Sequence, residues 1–348
     1  MKIEFIGNEQ GITGYATHVR ELKKALKDNG VEITTGESVN TPCVAITMPD
    51  YWTMRSGNRH KPFLPFLVYE GTKFPVNWIK QCNSDYVTAI LVPSNYVKEM
   101  AISNGINKPI HIISHGFNPE KYNKKIEVFD RLKDDDSFKF LMVGGWAQGI
   151  KDRKGFQYAL KAYKEVFNKK DKVNLVFKIN MNYNPKLNIN RELAKLGYDD
   201  NTEVKITYIS YNLTDDEMVS LYKTCDCLIA PSMSEAFNLP VLESLAVGTP
   251  VIVTNYGGPL DFVNEKNGWL VSVEDMVKSE GLPHYLYEDT LWAKPCVKDL
   301  GEKMRIAFDN KKLLKKKSKA CVKSVKNFTW DKSAKELIKV LKSYGVEK

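Results

Sequence analysis

Short apolar runs rich in β-branched and aromatic residues alternate with segments of helical periodicity along almost the whole sequence. Strands that alternate with helices form parallel sheets, because the helix carries the chain back to the start of the next strand. Predicted strands fall into two series, near residues 2–6, 31–34, 44–48, 66–69, 89–92 and 110–113, and near 138–143, 173–180, 204–209, 227–230, 251–254 and 268–271. The pattern therefore predicts an α/β protein with two open parallel sheets.

The length of the chain agrees with two domains. A chain of 348 residues exceeds the size at which a single hydrophobic core keeps growing. Residues 118–137 are polar and highly charged, and they interrupt the alternation between the two series of strands. This stretch is typical of a linker between domains.

The excess of positive charge is concentrated near the carboxyl terminus. The net charge is +9, and residues 298–348 alone contain 16 basic and 6 acidic residues. Within Lys311–Lys326, Lys311, Lys315, Lys319 and Lys323 repeat every four residues and predict one charged helix face. This face is either the solvated back of a helix or a contact surface for anionic lipid, nucleic acid or another polyanion.

The amino-terminal sequence and the cysteines indicate a cytoplasmic protein. The apolar run before Gly7 is too short for a signal peptide, and no later stretch is long and apolar enough to span a membrane. The six cysteines lack the paired spacing of a zinc site. We therefore expect a cytoplasmic location without structural metal.

Residues 231–258 place two glutamates at the end of a predicted strand. Glu235 is predicted to lie in the loop after this strand, and Glu243 in the first turn of a helix that contains Pro240 and ends before Gly248. Ligands of open α/β sheets bind at the carboxyl ends of the strands, and the N–H groups at a helix start favour phosphate. The N–H groups of residues 237–239 (Phe237, Asn238 and Leu239) are therefore candidates to face a diphosphate.

This stretch resembles the motif of two glutamates separated by seven residues in retaining glycosyltransferases of family four, the group 1 glycosyl transferases with the GT-B fold. Residues 91–122, 140–167 and 328–341 are similar to other characteristic segments of that family, in the same order. The resemblance implies two Rossmann-like domains facing across a cleft. Residues 1–125 would form the acceptor-binding domain, with the terminal helix 330–348 packed back on it, and residues 126–329 the nucleotide-sugar domain.

The resemblance also implies roles for individual residues. Glu243 would hold the ribose hydroxyls of a nucleotide-sugar donor, and Glu235, with the amides that follow it, would contact the sugar and phosphates. Lys154 would neutralise the diphosphate leaving group, while the backbone at Gly14 would approach the phosphate. Cations and amides can stabilise the negative charge that develops on a leaving diphosphate, so we expect no cofactor and no required metal.

Donor specificity depends on a few loop contacts, which we place near Ile209 and Ser210. The sequence departs from the family at one position after the first strand of the second domain. Members commonly have an arginine there, whereas this sequence has Gly145. We expect Arg153 or Lys151 to supply the missing charge. Asn238 replaces a common glycine, and asparagine tolerates the left-handed backbone that such a loop needs.

The region that would meet the acceptor also departs from the family. Many members carry a histidine at the end of a strand of the first domain, whereas this sequence has Glu70 and Thr72 there. Tyr15, beside the glycine-containing loop, and His115, after another strand, are further candidates. A lone histidine such as His115 is as often structural as functional.

The sequence thus predicts a retaining glycosyltransferase that moves a sugar from a UDP- or GDP-linked donor to an acceptor hydroxyl. The acceptor could be a glycan, a lipid-linked molecule, a protein or a nucleic acid, and the basic helix allows attachment at the inner face of a membrane. A sugar-nucleotide epimerase or a phosphorylase of the same fold is an alternative. A nonenzymatic module that binds polyanions is another.

Overall fold

The computed structural model describes residues 1–34, 41–55, 62–122, 125–198, 204–281 and 283–347. The chain forms two compact units. The first consists of Met1–Phe117, Pro283–Thr290 and Asn327–Lys348, and the second of Asn118–Leu282 and Leu291–Lys326. Each unit contains parallel strands and helices, so the predicted α/β class is confirmed.

The secondary structure within the described residues is as follows. The strands are β1 (Lys2–Gly7), β2 (Glu32–Thr34), β3 (Cys43–Ile46), β4 (Phe63–Pro65), β5 (Ile90–Val92), β6 (Ile110–Ile112), β7 (Phe138–Gly144), β8 (Val173–Ile179), β9 (Lys205–Ile209), β10 (Cys227–Ala230), β11 (Val251–Thr254), β12 (Gly268–Val271), β13 (Val273–Lys278) and β14 (Leu291–Pro295). The helices are α1 (Gly14–Asp28), α2 (Trp52–Arg55), α3 (Val76–Cys82), α4 (Asn95–Ser103), α5 (Pro119–Tyr122), α6 (Phe156–Val166), α7 (Ile189–Lys195), α8 (Asp215–Thr224), α9 (Leu239–Ala246), α10 (His284–Tyr287), α11 (Val297–Asp309), α12 (Lys311–Val325) and α13 (Trp330–Ser343).

The first unit is built on parallel strands in the order β2-β1-β3-β4, with β5 and β6 forming a further parallel pair. A bridge between Phe66 and Leu91 connects the end of β4 to β5. The prediction of a strand at residues 66–69 was wrong, because β4 comprises Phe63–Pro65 and pairs with Cys43–Ala45. Residues 63–67 form an uninterrupted apolar run, so periodicity alone could not fix the register.

The carboxyl-terminal segment completes the first unit. The N–H of Phe117 donates to the carbonyl of Phe328 at 3.0 Å, and the side chain of Asn29, just after α1, donates to Asp331 on α13 at 3.0 Å. A Cβ at Gly116 would lie 2.3 Å from the backbone of Thr329. This close approach requires glycine where the returning chain crosses.

The second unit contains a six-stranded parallel sheet in the order β12-β11-β10-β7-β8-β9. The predicted strands of this unit agree with the observed ones to within one residue at each end. Helices α6 and α11 cover one face, where large aromatic side chains such as Trp146, Phe156 and Phe177 are buried. Trp146 stacks on Phe156 with ring centroids 4.8 Å apart.

An antiparallel pair of strands, β13 and β14, was not predicted. The segment between them includes Pro283–Thr290, which belongs to the first unit. There the side-chain hydroxyl of Tyr69 donates to the carbonyl of Leu286, and the N–H of Lys73 donates to the hydroxyl of Thr290 at 2.8 Å. No helix in the described parts of the chain combines the length and apolar character needed to cross a membrane.

Candidate active site

The strand order of the second unit reverses direction between β7 and β10. From β7 the chain proceeds to β8 and β9 on one side, and from β10 to β11 and β12 on the other. β7 and β10 are direct neighbours, with Phe140 opposite Cys227. Crevices outside the carboxyl ends of such strands are the usual ligand sites of open α/β sheets. The loops that follow β7 and β10 are therefore the first place to look for function.

The loop after β7 is organised by the buried carboxylate of Asp152. One oxygen accepts from the N–H groups of Ala147 at 2.7 Å and Gln148 at 3.0 Å, and the other accepts from the N–H of Lys154 at 2.8 Å. Burial raises the pKa of Asp152 even though these bonds favour its charged form. The carboxylate thereby fixes the backbone from which Lys154 extends.

The loops after β7 and β10 are in direct backbone contact. The N–H of Met233 donates to the carbonyl of Arg153 at 2.8 Å. Gly155 has a φ of 86°, and a Cβ at this position would lie 2.2 Å from the carbonyl oxygen of Pro231. Only glycine fits both the left-handed backbone and the close approach.

Glu235, in the loop after β10, is the shared partner of two cations. Its Oε1 lies 2.6 Å from Nζ of Lys154, and its Oε2 lies 3.4 Å from Nη1 of Arg153. The Glu235 side chain is 6% exposed, whereas those of Lys154 and Arg153 are 24% and 17% exposed. Burial would raise the pKa of Glu235, but the two cations and the bonds from Lys154 and Ser232 outweigh it, so this pKa lies below its ordinary value.

The structure separates the two candidates for the charge missing at Gly145. Arg153 lies beside Glu235, and its guanidinium also donates to the carbonyl of Ser234. Lys151 instead pairs with Glu280 at 2.7 Å, where both side chains are exposed. A Cβ at Gly145 would lie 2.3 Å from the ring of Tyr183, so this position has no room for a larger side chain.

Glu243 lies one turn further along α9 than the sequence indicated. The helix begins at Leu239 and its first turn contains no acidic residue, so the prediction of a first-turn position was wrong. Oε2 of Glu243 accepts from the hydroxyl of Tyr222 at 2.8 Å, and the hydroxyl of Tyr122 also bonds to this carboxylate. Burial raises the pKa of Glu243 despite both phenols.

The segment before α9 adopts the expected backbone. Asn238 has a φ of 76°, which confirms that asparagine supports the left-handed conformation here, and its side chain caps the helix by accepting from the N–H of Val241 at 3.4 Å. Phe237 and Leu239 are both buried, with 2% and 8% of the residue exposed. The contact of their N–H groups with a diphosphate stays a prediction.

The two residues expected to read the nucleotide lie at the end of β9, an edge strand of the same sheet. Ile209 is the last residue of the strand and is completely buried. Its role in donor specificity stays a prediction. Ser210, the next residue, is half-buried.

Four other predicted residues lie in the first unit. Gly14 is the first residue of α1, and a Cβ there would meet no atom within 4 Å. Tyr15 is 38% exposed and donates its hydroxyl to the carbonyl of Val68 at 3.1 Å. Glu70 and Thr72 are half-buried and follow β4 by a short segment.

His115 is buried in the interior of the first unit, not exposed towards an acceptor as one interpretation of the sequence required. It is 7% exposed, its ring centroid lies 4.1 Å from that of His18, and it also packs against Trp330. Burial lowers the pKa of His115 to about 3. An apolar, crowded environment of this kind indicates a packing role.

Several residues that shape the site could not be identified from the sequence. Asp152 is adjacent to the lysine and arginine of the loop, but nothing in its spacing shows that its carboxylate binds three backbone N–H groups. Tyr122 and Tyr222 reach Glu243 from separate helices. The structure places them together only through tertiary packing.

Part of the chain matches a known protein family. Residues 124–290 match the family described as glycosyl transferases group 1. This part of the chain belongs to that family. The mouse alpha-1,3/1,6-mannosyltransferase is 25% identical over 238 residues, which cover 63% of this chain and 55% of the mouse protein. The matched region spans about half the length of the first curated relatives, 45% and 55%.

Solved structures show that the likeness in fold extends over the whole chain. A glycosyltransferase from Rickettsia africae has a TM-score of 0.71 at 16% identity, covering 100% of this chain and 99% of the other. Anabaena HepE, solved in complex with UDP and glucose, has a TM-score of 0.71 at 13% identity, with 99% and 100% covered. The fold of this protein is therefore GT-B, as predicted.

Proposed function

We propose that this protein is a retaining glycosyltransferase that transfers a sugar from a UDP- or GDP-linked donor to an acceptor hydroxyl and requires no metal. The observation that carries the proposal is the arrangement of Lys154 and Arg153 around the buried carboxylate of Glu235. These three side chains lie on the touching loops after β7 and β10, next to the start of α9.

The chemistry of sugar transfer explains why two cations are useful there. Breaking the bond between the anomeric carbon and the diphosphate leaves negative charge on the phosphate oxygens. Fixed cations and helix N–H groups stabilise this charge without reorganising during the reaction. Lys154 and Arg153 would provide the positive charge, and Glu235 would hold both in place before the donor binds.

The carboxylate of Glu243 suits the ribose of the donor. A carboxylate beside a diphosphate cannot bind the anion, but it can accept from vicinal hydroxyl groups. The tyrosine hydroxyls that donate to Glu243 would hold it in one orientation. A UDP-linked donor is favoured by the Anabaena HepE structures, which contain UDP and UDP-glucose.

Retention of configuration would follow if the acceptor attacks on the face that the diphosphate leaves. The departing diphosphate can then take the proton of the acceptor hydroxyl. No side chain is needed as a general base in such a step, so the buried position of His115 is compatible with transfer. Glu70, Thr72 and Tyr15 remain our candidates for contacting the acceptor.

The experiment is to incubate purified protein with UDP- and GDP-sugars and to measure release of the nucleotide diphosphate by absorbance after chromatography. We expect release with at least one donor, undiminished by EDTA, and a product whose anomeric configuration, read by NMR, matches the donor. Lys151→Met is the matched control for Lys154→Met, because Lys151 is an exposed lysine of the same loop. Failure of every donor to react would refute the proposal, and conversion of the donor without transfer would favour an epimerase.

We also propose that α12 attaches the protein to an anionic bilayer. Lys312, Lys315, Lys316 and Lys319 line one shallow surface together with Ala320, and no ion pair joins these lysines to another described residue. The helix presents lysine without arginine or aromatic side chains, a composition that suits diffuse attraction to lipid headgroups more than clamping or stacking on nucleic acid.

Vesicle sedimentation tests this attachment. We expect binding to phosphatidylserine vesicles that is lost in high salt and absent with phosphatidylcholine, because each lysine near an anionic surface contributes about 1 kcal/mol. Replacing Lys312, Lys315, Lys316 and Lys319 with glutamine should abolish binding while leaving nucleotide release unchanged. Equal binding of the variant, or preferential binding to DNA, would contradict the attachment.

A further inference from the structure

Among the described residues of the second unit, three lysine side chains are more than nine-tenths buried. Lys139 is 6% exposed, Lys178 is 5% exposed and Lys317 is 4% exposed. Lysines are almost never buried to this degree unless their charge is paired or fully hydrogen-bonded, because removing an ammonium group from water is costly. Each of the three therefore needs an explanation.

Two of these lysines have their partners within the protein. Nζ of Lys139 donates to the carbonyl oxygens of Asp135 at 2.5 Å and Ser137 at 2.7 Å. Nζ of Lys317 donates to the carbonyl oxygens of Glu265 at 2.5 Å and Gly268 at 2.6 Å. It also lies 3.6 Å from the carboxylate of Glu265 and 4.6 Å from the ring centroid of Trp269. Both ammonium groups are well satisfied.

Lys178 is different. Its ammonium donates to one carbonyl oxygen, that of the adjacent Ile179, at the long distance of 3.3 Å. No carboxylate in the described parts of the chain forms an ion pair with it. Burial lowers the pKa of Lys178, and no neighbouring charge acts against that effect. Among the described residues, this buried lysine therefore has no anionic partner.

Lys178 lies near the end of its strand, on the side of the sheet where the candidate site is found. It is the penultimate residue of β8, opposite Val143 of β7 and Ile209 of β9. The next residue of β7, Gly144, lies against the stem of Lys154, since a Cβ there would be 3.4 Å from Cγ of that side chain. Lys178 therefore stands at the carboxyl edge of the sheet, between the strands whose ends carry Lys154 and Ser210.

We propose that Lys178 is a third cation of the donor site and binds the diphosphate of the nucleotide sugar. This inference rests on the proposed function, because the ligand itself would supply the counter-ion that no described residue provides. The unliganded protein accepts a destabilising buried charge, and the charge is compensated when the donor enters. Lys178 would then contribute to affinity for the phosphates and nothing to affinity for the nucleoside.

The test uses Lys178→Met, which keeps most of the stem and removes the charge. The unliganded variant should melt at the same temperature as the unmodified protein or higher, because it loses an unpaired buried cation. Its Kd for UDP or GDP, measured by calorimetry, should rise by about 10–100-fold, the value of a hydrogen bond to a charged group. Its Kd for uridine or guanosine should not change.

Lys139→Met is the matched control, because Lys139 is equally buried in the neighbouring strand but lies at the amino end of the sheet. We expect this variant to melt at a lower temperature and to bind UDP or GDP with unchanged affinity. Unchanged affinity of Lys178→Met for a diphosphate that the unmodified protein binds would overturn the inference alone. An equal loss of affinity for the nucleoside would also overturn it. Absence of nucleotide binding by the unmodified protein would overturn the proposed function together with the inference.

Discussion

Replacing Gly155 with alanine tests how the two loops of the site hold each other. The left-handed backbone at this residue, with a φ of 86°, costs a non-glycine residue roughly 1–2 kcal/mol. The new Cβ would lie 2.2 Å from the carbonyl oxygen of Pro231, which is backbone and cannot rotate away. Overpacking of this kind typically adds about 1–3 kcal/mol. The free energy of unfolding should therefore fall by about 2–5 kcal/mol.

The same substitution should also affect activity. The loop after β10 has to move away from the loop after β7, so the contact of 2.6 Å between Lys154 and Glu235 should be lost. We expect turnover to fall by a larger factor than substrate affinity, since the cation would no longer be positioned for the leaving group. Urea unfolding reports the stability, and steady-state release of nucleotide diphosphate reports the activity.

Gly105 provides the control for backbone strain. Its φ is 82°, but a Cβ at this position would meet no atom within 4 Å. Gly105→Ala should therefore cost only the roughly 1–2 kcal/mol of the left-handed backbone and leave turnover unchanged. If Gly155→Ala and Gly105→Ala lose equal stability and the former keeps full turnover, the close approach of the two loops has no importance and our reasoning fails.

Three further predictions concern charge, capping and pH. Lys154→Met should lower kcat by about 10²–10³-fold in the nucleotide-release assay, while Lys151→Met stays near the unmodified value; similar effects of both would rule out a specific role. Thr214→Ala should lower the free energy of urea unfolding by about 0.5–2 kcal/mol without changing turnover, because the hydroxyl of Thr214 caps α8. Burial lowers the pKa of His115 from 6.5 to about 3, so the unfolded chain binds more protons between these values. The contribution of His115 alone should make stability fall by about 1.4 kcal/mol per pH unit as pH drops below 6.5, and unfolding of His115→Phe at several pH values should show a shallower slope. The pKa of the neighbouring His18 is also lowered by burial, so some pH dependence should remain in this variant.

The sheet of the second unit could be predicted because its strands are apolar runs bounded by polar residues. The hairpin of β13 and β14 could not, because residues 279–290 separate its strands, whereas hairpin loops usually contain two to five residues. The position of β4 was wrong for another reason. The apolar run from Phe63 fits a strand at several registers, and pairing with β3 selects one of them.

In the candidate site, too, local features could be predicted from the sequence, whereas contacts that depend on tertiary structure could not. The loops of Lys154 and Glu235 could be placed at strand ends from the sequence, since turn residues and helix signals mark both. Their contact depends on β7 and β10 being neighbours, which only the order of the strands decides. The choice between Arg153 and Lys151 could not be made either, because two residues of one loop can point in any direction.

The burial of Lys178 and His115 could not be predicted from the sequence, and it changes how each residue is interpreted. Lys178 interrupts an apolar strand and reads as a residue at a solvated edge, although it is 5% exposed. His115 follows a strand and reads as a site residue, although aromatic rings enclose it. Hydrophobic periodicity indicates which face of a strand or helix a residue occupies, but not which other residues or ligands contact it there.

The composition of the first unit has a consequence for folding during synthesis. Its segment Asn327–Lys348 follows the second unit in the sequence and is therefore synthesised after it. Domains usually fold in the order in which they are translated. Here the amino-terminal residues must wait, with the surface that receives α13 uncovered, until the entire second unit has emerged. A premature stop codon near residue 326 would therefore leave the first unit incomplete, although its amino-terminal part is synthesised first. The second unit would be complete.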